Sequence, residues 1–427
     1  MKLSQFGERF CAESGTYNLM DDLGKALTTN PEMLFLGGGN PAQIPEIEQE
    51  IQQALETLVK KTGGVGRLCS NYQSPQGDPS FLKALAAYLN KHCDLSISEK
   101  NIAITNGSQA AFFVLFNMFA GEFANQQKKH ILLPLTPEYI GYSGAGLSED
   151  FFRSCKPVIE HLPGNLFKYQ LDEHAIEQHI TSCLEDSTNT VGTLCVSRPN
   201  NPSSNVIADE QIEFLTKLAK QYDVPLIIDG AYGLPFPGIL FNDAKISFTD
   251  NTILVLSLSK LGLPGARTGI VIANPEVIQA FAIANTSINL APSSLGPALA
   301  QTWFETDKIH HLCHHIIQPF YRSACDSALG LVKSACADFP VHIHIPEGAF
   351  FLWLWCQDLP ISSQELYQRL KDRGVLVLSG HHFFLGVEED WPHKHQCIRL
   401  SYCQPAAVIE QACEIIRQEL KKAYEGN

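Results

Sequence analysis

Six short apolar runs, none of them alternating, set the strongest limit on how this chain can fold. They are Ile102-Ala-Ile-Thr105, Ile131-Leu-Leu133, Thr193-Leu-Cys-Val196, Leu226-Ile-Ile228, Ile253-Leu-Val-Leu256 and Gly269-Ile-Val-Ile-Ala273. A strand with one face in water alternates apolar and polar residues, so an unbroken apolar run reads as a strand covered on both faces. Amphipathic helical spacing lies between several of the runs, as over residues 209–222. Strands and helices in series predict an α/β fold around a mostly parallel sheet. Ligands of such sheets sit beyond the carboxyl ends of the strands, so the residues just after each run carry the functional question.

The rest of the chain fits around that sheet. Residues 45–61 place Ile47, Ile51, Leu55, Leu58 and Val59 on one helical face, and residues 81–89 repeat the spacing after an Asp78-Pro79 start signal. Beyond about residue 300 the texture changes. Residues 302–332 predict one or two long helices, 349–355 a strand, and 364–373 and 405–424 helices, the last stopped by Gly426. The expected division is an N-terminal segment, 1–45, that joins a small α+β domain at 301–427, with a large α/β domain at 46–300.

Composition narrows the function. The 427 residues are 45% hydrophobic and 18% charged, which supplies a large core and excludes wholesale disorder. The net charge of −14, with no basic run longer than Lys128-Lys129 or Lys421-Lys422, argues against a nucleic-acid binder. Residues 1–15 lack the apolar stretch of a secretory signal. The longest apolar segment, 110–120, is interrupted by Asn117 and falls short of the ~20 residues of a membrane helix. Thirteen cysteines without a C-x-x-C pair read as reduced thiols, and the expected location is the cytoplasm.

Three of the runs end in residues with chemistry. Asp229 follows 226–228; a carboxylate at the end of an apolar strand is costly unless it meets a cation. Ser257, Ser259 and Lys260 follow 253–256, with Arg267 seven residues on. Such a lysine can have a lowered pKa and act as an amine nucleophile, and the hydroxyls and arginine suit a phosphate. Gly107, Ser108 and Gln109 follow 102–105, where glycine allows close approach and a helix offers free N–H groups to an anion. A phosphate cradle, an amine and a carboxylate together suit a phosphorylated aldehyde cofactor with a basic ring nitrogen.

These segments resemble the fold-type I aminotransferases, which use pyridoxal 5′-phosphate. Gly37-Gly-Gly-Asn-Pro41, Tyr72 with Gly77, Asn106-Gly-Ser-Gln109, Pro137-Glu-Tyr139, Arg198-Pro-Asn-Asn-Pro202, Asp229-Gly-Ala-Tyr232, Ser257-Leu-Ser-Lys260 to Arg267, and Arg399-Leu-Ser-Tyr402 occur in the family's order over most of the chain. Within the family, residues 137–142, 228–238, 257–265 and 347–355 are most similar to the subgroup that exchanges an amino group between valine and pyruvate. The resemblance implies that Lys260 takes the cofactor in Schiff-base linkage and then serves as general base. It implies that Asp229 pairs with the ring nitrogen, that Asn201 and Tyr232 bond the ring oxygen, and that Tyr139 stacks on the ring. Gly107, Ser108, Gln109, Ser257, Ser259 and Arg267 would hold the phosphate, with Tyr72 supplied by the other subunit of a homodimer. Arg399 would clamp the substrate carboxylate, helped by Gly38, Gly39 and Asn201. Amino acids and 2-oxo acids are the implied partners. The chain departs from the family in having Ser203-Ser204 where Thr-Gly is usual, and in a lysine-to-arginine gap one residue shorter than the commonest form. No second substrate arginine is apparent.

Alternative readings are another reaction on the same scaffold, a transaminase of different range or a lyase, and a cofactor-binding transcription regulator. His310, His311, His314 and His315 form two i, i+4 pairs that could bind zinc, but a packed or solvated helix face is favoured. His381, His382, His393 and His395 read as loop residues.

Overall fold

The computed structural model describes residues 2–11, 15–30, 32–124, 126–148, 150–185 and 189–426. All six apolar runs become strands of one eight-stranded sheet. Its order is Ile102–Thr105, Gly269–Ile272, Thr252–Ser257, Leu226–Asp229, Asn189–Ser197, Lys128–Leu133 and Gly121–Glu122, with Phe152–Ser154 also paired to Lys128–Leu133. Four consecutive strands, Thr252–Ser257 through Lys128–Leu133, pair in parallel, whereas Gly269–Ile272 runs antiparallel to both its neighbours. The runs lack alternation because both faces are covered: Ile102–Thr105, Leu226–Asp229, Thr252–Ser257 and Gly269–Ile272 are buried at every position.

Helices pack on both faces. Pro79–Cys93 begins where Asp78 accepts bonds from the Ser80 and Phe81 amides at 2.8 and 3.3 Å, so the Asp-Pro signal is a true N-cap. Pro45–Lys60 forms as expected, but of its apolar stripe only Ile47 is fully buried, and Leu55 and Val59 stay 37% and 56% exposed.

Residues 302–332 do not make an unbroken helix. Leu295–Glu305 ends at Thr306, Asp307 takes a left-handed φ of 62°, and the chain resumes as Lys308–Leu312, a wide π turn at Cys313–Ile317, and Gln318–Cys336. The sequence gives no glycine at the break. Asp307 instead anchors the turn by accepting from Lys91 Nζ at 2.8 Å and bonding His92 Nε2 at 2.5 Å. The histidines beyond it stack on neighbours. His310 lies 4.5 Å from His92 ring to ring, and His311 pairs with His315.

A second sheet has the order Leu378–Ser379, Cys397–Ser401, Phe351–Cys356, Val341–His344, Leu166–Gln170 and Val158–Leu162. Its last two strands form a hairpin from mid-chain that carries no apolar run, because Val158–Leu162 has no fully buried position and Leu166–Gln170 buries only Phe167 and Tyr169. His393 is not a loose loop residue. It is 4% exposed and bonds the Tyr169 hydroxyl at 2.5 Å. Near the N-terminus, Leu34–Phe35 pairs in parallel with Val375–Leu376 and delivers Gly37, Gly38 and Gly39 to the edge of the cleft described next. No helix among the described residues is long and apolar enough to cross a membrane, and none of the cysteines is in a disulfide.

Candidate active site

A cleft of about 540 Å³ opens at the carboxyl ends of the parallel strands, where the topology places a ligand. Gly38, Gly39, Ser108, Gln109, Tyr139, Asn201, Asp229, Tyr232, Ser257, Ser259, Lys260, Arg267 and Arg399 all line it. Segments more than 300 residues apart in sequence thus supply one surface.

Asp229 ends its strand 7% exposed. Its Oδ2 accepts from the Tyr142 hydroxyl at 2.8 Å and its Oδ1 from the Ala231 amide at 3.0 Å. Burial pushes the carboxyl up to about 6; the two hydrogen bonds and the Lys260 charge pull it back towards the ordinary range. It is therefore ionised at neutral pH with lone pairs held in place, and suited to a cationic N–H in the cleft. Tyr142, within the 137–142 stretch, gains its role only from the fold. Its ring packs on Phe112 and Phe116, and this packing aims the hydroxyl at Asp229. Tyr142→Phe should raise the Asp229 midpoint in the cofactor-free protein by about one to two units, since a buried bond to a charged group is worth roughly 1.5–3 kcal/mol. Carboxyl NMR titration measures it.

Lys260 sits in a 3₁₀ turn, Ser259–Leu261, directly after its strand. Its Nζ donates to the Gly39 carbonyl at 2.5 Å and lies 5.2 and 5.3 Å from the Tyr232 and Phe350 ring centroids. Burial pulls its pKa down to about 8, and the Arg399 and Arg267 charges act in the same direction. At pH 7 the free amine is then roughly 300 times more abundant than for a lysine at its ordinary pKa. Capture of an aldehyde by the cofactor-free protein should rise with pH to a midpoint near 8, which stopped-flow absorbance would follow.

The anion cradle forms around Gly107 and Arg267. Gly107 has φ 92°, and a Cβ on it would lie 2.2 Å from Arg267 Nη2, so only glycine fits. Helix Ser108–Phe119 begins there with Ser108 and Gln109 on the cleft wall, and a helix start offers amides without intrahelical partners to an anion. Gln109 donates to the Gly141 carbonyl at 2.6 Å and so braces the segment that carries Tyr139. Ser257 and Ser259 are both buried and bonded Oγ to Oγ at 2.9 Å. The shorter lysine-to-arginine gap still reaches the cradle because Gly262 and Arg267 both adopt left-handed conformations.

Arg399 is 4% exposed, donates to Asn201 Oδ1 and the Gly37 carbonyl at 2.7 Å each, and stacks 4.1 Å from the Phe351 ring centroid. Among the described residues no carboxylate pairs with it, and its Nε has no hydrogen-bond partner. A buried cation without an anion is costly, so the site is built for an anionic ligand. The Asn201 loop survives its departure from the family pattern. Ser204 takes the left-handed φ of 62° that glycine would favour, and its hydroxyl donates to the Phe351 carbonyl at 2.8 Å. Ser203 donates to Asn200 Oδ1 at 2.5 Å.

Tyr72 alone stands apart. It is 85% exposed and does not line the cleft of its own chain.

Glu138 is a second feature the sequence left without a role. It is fully buried and accepts from the Ser197 amide and hydroxyl at 2.8 and 2.5 Å. Burial pushes it up to about 8 from an ordinary 4.5. A raised folded-state pKa means stability is present in full below 4.5 and is lost as pH rises through about 8. Glu138→Gln should therefore show a shallower fall in Tm across that window, measured by thermal melts at several pH values.

Residues 32–416 match the family described as aminotransferase class I and II, and the chain belongs to that family. It is 45% identical over 425 residues, 99% of both chains, to the valine–pyruvate aminotransferase of Escherichia coli (strain K12). It is 43% identical to the crystal structure of valine–pyruvate aminotransferase AvtA from Salmonella typhimurium LT2, with a TM-score of 0.87 over 97% of this chain and 100% of that one. A structure from Psychrobacter arcticum 273-4, provisionally described as an amino-acid aminotransferase, is 42% identical with a TM-score of 0.96 over the whole of both chains.

Proposed function

We propose that the protein is a pyridoxal 5′-phosphate-dependent transaminase. It converts L-valine and pyruvate to 3-methyl-2-oxobutanoate and L-alanine in two half-reactions at one site. The observation that carries the reading is the unpaired, buried Arg399 facing Lys260 and Asp229 across a cleft whose outer wall is apolar.

The residues fit the cofactor. Gly107 leaves room for an anion beside Arg267, the Ser108 helix start and the two serines, and Asp229 is ionised and oriented for a ring N–H. Bound there, the group supplies an electron sink for the charge left when an amino acid loses its α-proton. The protein does the rest. Asp229 keeps the ring nitrogen protonated. Asn201 and Tyr232 would hydrogen-bond the ring oxygen, and Tyr139 would pack against the ring. Lys260, with its pKa lowered to about 8, accepts the α-proton and returns it on the neighbouring carbon. Arg399 fixes the carboxylate, so that the α-proton is presented to Lys260.

Met20, Leu23, Leu27, Phe35, Ile140 and Leu378 also line the cleft, and the substrate side chain would pack against them. Among the described residues the cleft's cations are Lys260, Arg267 and Arg399, which the cofactor and the substrate α-carboxylate would occupy, leaving a second substrate carboxylate without a partner. This supports a small branched apolar amino acid over aspartate, and no feature of the cleft favours the lyase or regulator readings. Comparison of kcat/KM for L-valine and L-aspartate with pyruvate tests it. At least a 100-fold preference for valine is expected, and equal or reversed values would sink the substrate assignment.

The working unit is a cytosolic homodimer, with Tyr72 reaching the other subunit's phosphate. The exposed apolar residues Leu55, Val59, Val65 and Tyr72 lie in one stretch of chain and support a covered face there. Tyr72→Ala should weaken cofactor affinity about tenfold without changing the monomer fold, read by equilibrium dialysis.

A further inference from the structure

A second cluster of ligating side chains lies near the amino ends of the strands, away from the cleft. His130 on Lys128–Leu133 brings its Nε2 to 3.0 Å from Nε2 of His179 on helix Glu173–Glu185, with the rings at 84°. Cys183 follows His179 by four residues and so shares its helix face. The two imidazole nitrogens and the thiol sulfur all lie within 4.8 Å of one another. His130 is 1% exposed, and its Nδ1 is 3.0 Å from Asn189 Oδ1. With that oxygen accepting the Nδ1 proton, the His130 Nε2 lone pair points into the cluster, the outer-shell arrangement that orients metal-ligating histidines.

We propose that His130, His179 and Cys183 bind a borderline-soft divalent cation of the zinc type, pinning helix Glu173–Glu185 to the central sheet. Two neutral imidazoles and a thiolate make a donor set that zinc favours, with water in the fourth position. Burial disfavours the charged form of both imidazoles. The positive neighbours are already paired: Arg153 with Glu388 at 3.4 Å and Lys128 with Asp150 at 3.8 Å. Binding releases the Cys183 thiol proton to solvent. The proton shared between the two Nε2 atoms moves to Nδ1 of His179, so charge and protons balance.

The test uses the full chain with its cofactor, stripped with a chelator, equilibrated with zinc and dialysed. One zinc per chain is expected by atomic emission. Cobalt in its place should give an intense thiolate-to-metal absorption band. Cys183→Ser, conservative on a half-buried helix face, should lose that band and weaken zinc binding at least tenfold. It should also abolish any zinc-dependent rise in Tm while leaving transamination unchanged. His179→Gln should behave in the same way. No stoichiometric zinc in the parent protein, or zinc and a cobalt band that both substitutions leave intact, would overturn the site.

Discussion

Lys260→Ala should reduce turnover on the order of 10⁴-fold or more, because one side chain serves as both the amine that holds the cofactor and the general base. The substitution removes a buried amine that is charged below about pH 8 and whose charge burial disfavours, so at neutral pH the Tm should hold or rise. Cofactor binding should survive through the Arg267 cradle and Asp229, and only the lysine-linked absorbance should be lost. Turnover within tenfold of the parent, measured as alanine formed from valine and pyruvate, would remove Lys260 from the chemistry.

Arg399→Ala should lower kcat/KM for valine roughly 30- to 5,000-fold, the range for losing one partner of a buried charge pair at 2–5 kcal/mol. Arg399→Lys should recover little, since an ammonium cannot reproduce a planar two-point contact. The loss should fall on both half-reactions, as both substrates carry an α-carboxylate. In the substrate-free protein the buried cation has no anion to offset its desolvation, so Arg399→Ala should cost stability far less than a usual buried-arginine deletion. A large drop in Tm with kcat/KM intact would instead make Arg399 a structural residue.

Lys260 and Arg399 are both legible in the sequence, for different reasons. Lys260 and Asp229 each follow an apolar run, and burial on both faces marks such runs clearly. Arg399 has no such local signal. It sits on Cys397–Ser401, and only its resemblance to a known pattern singled it out. Tyr142 and Glu138 stood in quoted motifs, yet their work depends on distances across the fold. A hydroxyl 87 residues from Asp229, and a carboxylate 59 residues from Ser197, have no counterpart in linear spacing. The hairpin Val158–Gln170 has no comparable signal, because Val158–Leu162 buries no residue fully and neither strand holds an unbroken apolar run. The break at Asp307 was missed because an aspartate, where glycine would have signalled it, adopts the left-handed turn. The pair His179 and Cys183 is visible as a four-residue spacing, but His130 joins it only through sheet packing.

The most direct test of the account is the absorbance of the purified, cofactor-loaded protein, recorded alone, then with L-valine, then after pyruvate is added. Valine should bleach the lysine-linked band, and pyruvate should restore it while alanine appears in equal amount to the band recovered. A band that valine leaves unchanged while another amino acid bleaches it would contradict the valine assignment. A protein that takes up no pyridoxal 5′-phosphate at all would contradict the reading of the cleft itself.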